Sequence, residues 1–97
     1  MPTYVSLITW TDQGIRKIKD SPKRLDAVKK VLKGLGGELK SFYMTQGAFD
    51  AMLILELPDD RALAKFLLKT GSAGNVRTTT VRAYPEGEYR TIMEGLG

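Results

Sequence analysis

The sequence predicts an α+β domain of order β-α-β-β-α-β, with one four-stranded antiparallel sheet and two helices on one of its faces. Three observations carry this expectation. Apolar residues alternate with period two in four stretches, they recur at helical spacing in two others, and the changes of period fall at glycine, proline or serine. With 97 residues, 42% hydrophobic and 27% charged, residues 1–97 are read as one domain with one core, over about 3–84, followed by a tail or short helix over 85–97.

Thr3 to Trp10 alternates and is rich in β-formers, so it reads as the first strand. Val5 and Leu7 point to one face, and Tyr4, Ser6, Ile8 and Trp10 to the other. Large side chains on both faces predict a central position. The period then changes. Asp12 to Lys19 reads as a short helical turn with Asp12 as a cap, and Ser21-Pro22 as a helix start with Ser21 at the N-cap. Leu25, Val28, Val31, Leu32 and Leu35 form the apolar stripe of that helix, and Gly36-Gly37 ends it.

Glu38 to Thr45 and Ala48 to Leu57 read as a hairpin turning at Gln46-Gly47. A two-residue turn pairs Thr45 with Ala48, which sets Tyr43 opposite Asp50 and Phe42 opposite Ala51. Ala51, Leu53, Leu55 and Leu57 then share a face that needs helices over it, and Asp50, Met52 and Ile54 take the other. Pro58 breaks the strand, Asp59 is the N-cap of a second helix with Leu63, Phe66 and Leu67 on its apolar face, and Gly71 stops it. Val76 to Tyr84 returns to a strand of threonines and aliphatics. Glu86 to Gly97 has the spacing of a short helix through Tyr89, Ile92 and Met93.

The chain has no cysteine and no histidine. Zinc sites of thiolate and imidazole, haem axial ligation, disulfides and histidine-activated nucleophiles are thereby excluded. No cofactor and no metal is implied. The opening "MPTYVSLITW" is too short and too interrupted for a membrane span or a leader, so a cytoplasmic protein with no membrane partner is expected. A net charge of +4 and a pI near 9.5 admit a nucleic-acid partner. The basic residues, however, lie on the first long helix as Lys23, Arg24, Lys29, Lys30 and Lys33, where a solvated face is the plainer account. Base-stacking aromatics are also missing from the third strand's open face, so nucleic acid is not expected.

Right-handed crossovers on two βαβ halves give strand order 4-1-3-2, the ferredoxin-like arrangement. The stretch "GAFD" after a tight turn, with "WTDQGI" and "SPKR" before it and "GNVRT" after it, resembles the GYD family over about Tyr4 to Tyr84. The resemblance implies a fold of the dimeric α+β barrel type and supplies no activity. Phe49 stands where that family usually has tyrosine, so no role for a phenol transfers to this position.

Asp50 is a carboxylate in a segment otherwise apolar enough for core. If the first and third strands start at one end of the sheet, Tyr4, Tyr43, Asp50, Arg82 and Tyr84 gather near that end on the face away from the helices. One reading gives Asp50 a structural task, accepting hydrogen bonds from Tyr43, Arg82 or a turn amide. The other makes the five residues a small-molecule pocket. Ile8, Trp10, Met52 and Ile54 are expected to form an apolar patch on the same face that pairs two copies as a homodimer. A homodimeric binding domain is therefore the leading expectation. The alternatives are a cofactor-independent monooxygenase or isomerase, with Asp50 as base or Tyr43 as acid and Arg82 holding an anion, and an interaction module docking through Lys29, Lys30 and Lys33.

Overall fold

Strand β1 (Thr3–Trp10) lies between β3 (Ala51–Glu56) and β4 (Val76–Ala83), with β2 (Glu38–Met44) outside β3, so the order is β2-β3-β1-β4. This is the 4-1-3-2 order expected, seen in a computed structural model that describes all 97 residues, Met1–Gly97. Every pairing is antiparallel. The helices are α1 (Asp12–Arg16), α2 (Ser21–Gly34), α3 (Asp60–Ser72) and α4 (Glu86–Glu94), with a 3₁₀ turn at Ile18–Asp20. None of them is long and apolar enough to cross a membrane.

Side-chain caps open two of the four α-helices. Asp59 is the N-cap of α3, its carboxylate accepting from the Ala62 amide at 2.9 Å. Thr11, rather than Asp12, caps α1: its hydroxyl oxygen accepts from the Gly14 amide at 3.1 Å, and Asp12 is the first helical residue. Ser21 is inside α2 instead of capping it, because the 3₁₀ turn runs directly into the helix and leaves Asp20 at the cap with no side-chain bond. Helix α3 continues through Gly71 to Ser72, and the residue that reverses the chain is Gly74, whose φ of +83° suits a residue without a Cβ.

The core lies between the sheet and α2 and α3. Leu53, Leu55 and Leu57 are buried there under Leu32 and Phe66, as the alternation in the third strand predicts. The inward face of β1 is the reverse of the one expected. Tyr4 pairs with Leu55, Ser6 with Leu53 and Ile8 with Ala51, so Tyr4, Ser6 and Ile8 face the helix layer and are buried, while Val5 and Leu7 face outward beside Ile54 and Met52. Both faces of β1 are apolar, so alternation alone does not choose between them; pairing with the one-sided β3 does.

The hairpin differs by two residues. Met44 pairs with Ala51, Tyr43 with Met52 and Phe42 with Leu53, and Thr45–Asp50 forms the loop, closed by the Thr45 amide on the Asp50 carbonyl at 2.9 Å. The Thr45 hydroxyl also donates to the Phe49 carbonyl at 2.7 Å, which favours the wider loop over a two-residue turn. An even slip leaves Ser41 to Met44 and their partners on their expected faces, so Tyr43, Met52 and Ile54 remain outward. An irregularity between Leu39 and Ser41 turns both Leu39 and Phe42 toward the helices, opposite Leu55 and Leu53.

Candidate functional site

At the Trp10 end of the sheet, four separate stretches close on one another. The Asp50 carboxylate accepts from the Trp10 amide at 2.9 Å, and the Asp50 amide donates to the Ile8 carbonyl at 2.8 Å. The carboxylate thus satisfies the last amide of β1, beyond the point where β3 pairs with it. Of the two readings of Asp50, the structural one matches this geometry, with a strand amide as donor in place of Tyr43 or Arg82. The Thr11 hydroxyl donates to the Gly74 carbonyl at 2.6 Å, and the Thr11 amide to the Asn75 carbonyl at 3.1 Å. Gln13 Nε2 reaches the Ala73 carbonyl at 3.1 Å and Asn75 Oδ1 at 2.9 Å. Gly14 fits this clasp because it has no side chain: a Cβ there would lie 2.0 Å from the Asn75 carbonyl oxygen. Arg24, from α2, donates to the Lys17 carbonyl at 3.1 Å and the Gly14 carbonyl at 3.2 Å.

"WTDQGI", "SPKR", "GAFD" and "GNV" are therefore one assembly, although sequence spacing gives no sign that they meet. The available signal was the glycine inside a five-residue helix, a poor helix former that asks for a packing reason. Beside the clasp, α2 and α3 stand apart and leave a groove of about 270 Å³, walled by Ala27, Val28 and Val31 on one side and Thr70 and Ala73 on the other. Arg24, Lys69, Asn75 and Val76 complete its lining. A smaller recess of about 70 Å³ adjoins it, sharing Arg24, Val28, Thr70 and Val76 and reaching Ile8, Trp10, Ser21, Leu25, Phe42 and Phe66.

The five residues expected to share a pocket are divided between the two ends. Antiparallel neighbours run in opposite directions, so β1 and β3 start at opposite ends rather than together: Thr3 pairs with Glu56 and Ile8 with Ala51. Tyr4, Arg82 and Tyr84 come together at the Thr3 end. Asp50 and Tyr43 are at the other, about 13 Å away along the strand. Tyr4 and Arg82 also face the helix layer, not the open face, being a Cα pair on the covered side. The enzymatic alternative needs Arg82 at one substrate with Asp50 or Tyr43, and both of these are at the end away from Arg82.

The Thr3 end is a compensated cluster. The Tyr4 hydroxyl donates to Asp60 Oδ1 at 3.1 Å. Burial, then the hydrogen bond and charge of Asp60, hold the Tyr4 phenol above its ordinary pKa of 10.0, with Arg82 pulling the other way. The Arg82 guanidinium lies 4.3 Å from the Tyr84 ring centre and 5.8 Å from that of Tyr4. It pairs with Glu88 of α4 at 3.6 Å and donates to the Thr3 carbonyl at 3.2 Å and to the Ala83 carbonyl.

On the open face, Met52 and Ile54 lie beside Val5 and Leu7, and Val81 is 49% and Tyr43 55% exposed. Ile8 and Trp10, expected in this patch, are on the covered side: Ile8 is in the core and Trp10 borders the recess. Their places are taken by Val5, Leu7 and Val81, the opposite parity of β1 together with its β4 neighbour.

The profile of the GYD domain matches residues 4–93. A relative from Thermus thermophilus, named glutamine synthetase and cystathionine beta-lyase binding protein, is 31% identical over 86 residues, 88% of this chain and 90% of its own. Among solved structures, the leucine response regulatory protein (LrpA) of Mycobacterium tuberculosis superposes with a TM-score of 0.65 at 21% identity, over 87% of this chain but 51% of its own. FFRP-DM1 superposes with a TM-score of 0.62 at 19% identity, over 87% of this chain and 100% of its own. At these identities the structural likenesses concern the ferredoxin-like fold alone.

Proposed function

The chain belongs to the GYD domain family, and on that premise we propose that it is a non-catalytic binding domain, a homodimer that pairs through its open sheet faces and turns its helix layers outward to a partner enzyme. The observation that carries this reading is the uncovered apolar face of Val5, Leu7, Met52, Ile54 and Val81. Two sheets packed face to face, about 10 Å apart, would bury it through a self-complementary contact. The relative named for binding glutamine synthetase and cystathionine beta-lyase supports this choice of partner. Lys23, Lys29, Lys30 and Lys33, exposed on α2, remain free in such a dimer to meet an acidic surface.

Sedimentation velocity tests the first half. The expected species has twice the 10.8 kDa chain mass at micromolar concentration, and Ile54→Lys, which sets an ammonium in the contact, reduces it to a single chain. A wild-type monomer under those conditions would overturn the dimer. For the second half, the immobilised protein is titrated with purified glutamine synthetase and cystathionine beta-lyase. A saturable response that weakens with salt and with charge reversal at Lys29, Lys30 and Lys33 is expected. Silence with both enzymes would remove the partner and leave the dimer standing.

A further inference from the structure

Arg24 has an unusual situation for a half-buried cation. Two of its five N–H donors are fastened to the Lys17 and Gly14 carbonyls, and no carboxylate lies within ion-pair distance. Half-buried charges are ordinarily compensated, because partial desolvation weakens their hydration. The two carbonyl bonds hold the guanidinium in place without neutralising it, and its remaining donors stay available. Beside it runs the groove between α2 and α3, whose lining includes Arg24 and Lys69 and no aspartate or glutamate; the adjoining recess contains no acid either. Apolar side chains form most of the walls, to which Ser21 and Thr70 add hydroxyl groups.

From this geometry we infer that the α2–α3 groove is a binding site for a small carboxylate with an apolar body. The carboxylate takes the free guanidinium edge of Arg24, in the paired N–H to oxygen geometry that arginine offers, with Lys69 adding charge. The body lies along Val28, Val31 and Val76 and reaches toward Trp10 and Phe66. The size sets the class: about 270 Å³ is below the roughly 300–1,000 Å³ of pockets for drug-sized molecules, so the ligand is a short aliphatic or single-ring acid. Because the groove is on the helix side of the sheet and the proposed dimer contact on the other, the inference stands whether or not the chain dimerises.

Trp10, the one tryptophan of the chain, borders the recess and reports on its filling. Octanoate, octan-1-ol and acetate are titrated below micellar concentrations while Trp10 emission and amide chemical shifts are followed. Octanoate is expected to give a saturable change by about 1 mM, acetate none, and the alcohol a binding at least about tenfold weaker, since it lacks the charge. Arg24→Gln should weaken octanoate by about tenfold and leave octanol unchanged, Arg24→Lys should keep part of the affinity, and Lys69→Gln should lose about twofold. Arg24 also tethers α1, so Ala27→Phe gives a second, independent arm: it fills the groove from an exposed position and should abolish binding of acid and alcohol alike. The same results are expected of the Ile54→Lys variant. No saturable response to octanoate, an alcohol that binds as tightly as the acid, or unchanged binding in Ala27→Phe would each overturn the site.

Discussion

Arg24 and Arg82 are half-buried arginines at opposite ends of one sheet, and their surroundings differ in kind. Arg82 is enclosed by Glu88, by the faces of Tyr4 and Tyr84 and by backbone carbonyls of its own strand pair. The charged groups gathered around Tyr4 have partners in the chain, Arg82 in Glu88 and Asp60 in the Tyr4 hydroxyl. Arg24 has carbonyl partners only. Its end is knit through the backbone instead: Asp50 to the Trp10 amide, Thr11 and Gln13 to the carbonyls of the 73–75 turn, and Gly14 against Asn75. The contrast teaches that a cluster of charged and aromatic residues is weak grounds for a site when its members satisfy one another. A rigid frame that leaves one cation uncompensated beside a groove is stronger.

The largest effect expected on this contrast comes from Gly14→Ala. A Cβ 2.0 Å from a carbonyl oxygen cannot be accommodated by a side-chain rotation, so α1 must part from the 73–75 turn. Urea denaturation should show a loss of about 1–3 kcal/mol. A loss below about 0.5 kcal/mol would mean that the clasp has slack and does not hold Arg24 in place.

Asp50→Ala comes next. It strips the acceptor from the Trp10 amide, and about 1 kcal/mol of stability should go with it, while Asp50→Asn, which keeps a side-chain oxygen, should lose less. Equal losses for the two would show that charge, rather than the amide bond, is what the carboxylate supplies.

At the other end the effect is smaller and depends on pH. Tyr4→Phe removes the hydrogen bond to Asp60 and should lower stability at neutral pH by about 0.5–1.5 kcal/mol. Because the folded-state phenol titrates above its ordinary 10.0, Tyr4 is protonated in both states below that pH and its contribution is fully present. As pH rises past 10.0 the unfolded chain releases the proton first, so folding stability falls toward the folded-state pKa. Urea midpoints between neutral pH and the alkaline range should therefore decline more steeply in the wild type than in Tyr4→Phe. Parallel profiles would show that Tyr4 does not carry the alkaline loss.

The sequence alone determined the elements, their order and the sides of the hairpin. Period-two alternation with one clearly apolar face placed Leu53, Leu55 and Leu57 inward, the Asp59 cap opened α3, and two large faces put β1 in the centre. These are local properties, written in spacings of a few residues. Tertiary structure decided which face of β1 turns inward, which residues share an end of the sheet, and what Asp50 holds. Tyr4 and Val5 are equally suited to burial, and only the hydrogen-bonded ladder with β3 separates them. The bonds that build the Trp10 end join residues far apart in the chain: Asp50 with Trp10, Thr11 with Gly74, Gln13 with Asn75. No periodicity records such contacts, because they form only after the crossovers have set antiparallel neighbours side by side, and that direction of travel is what carries Arg82 and Asp50 to opposite ends of the sheet.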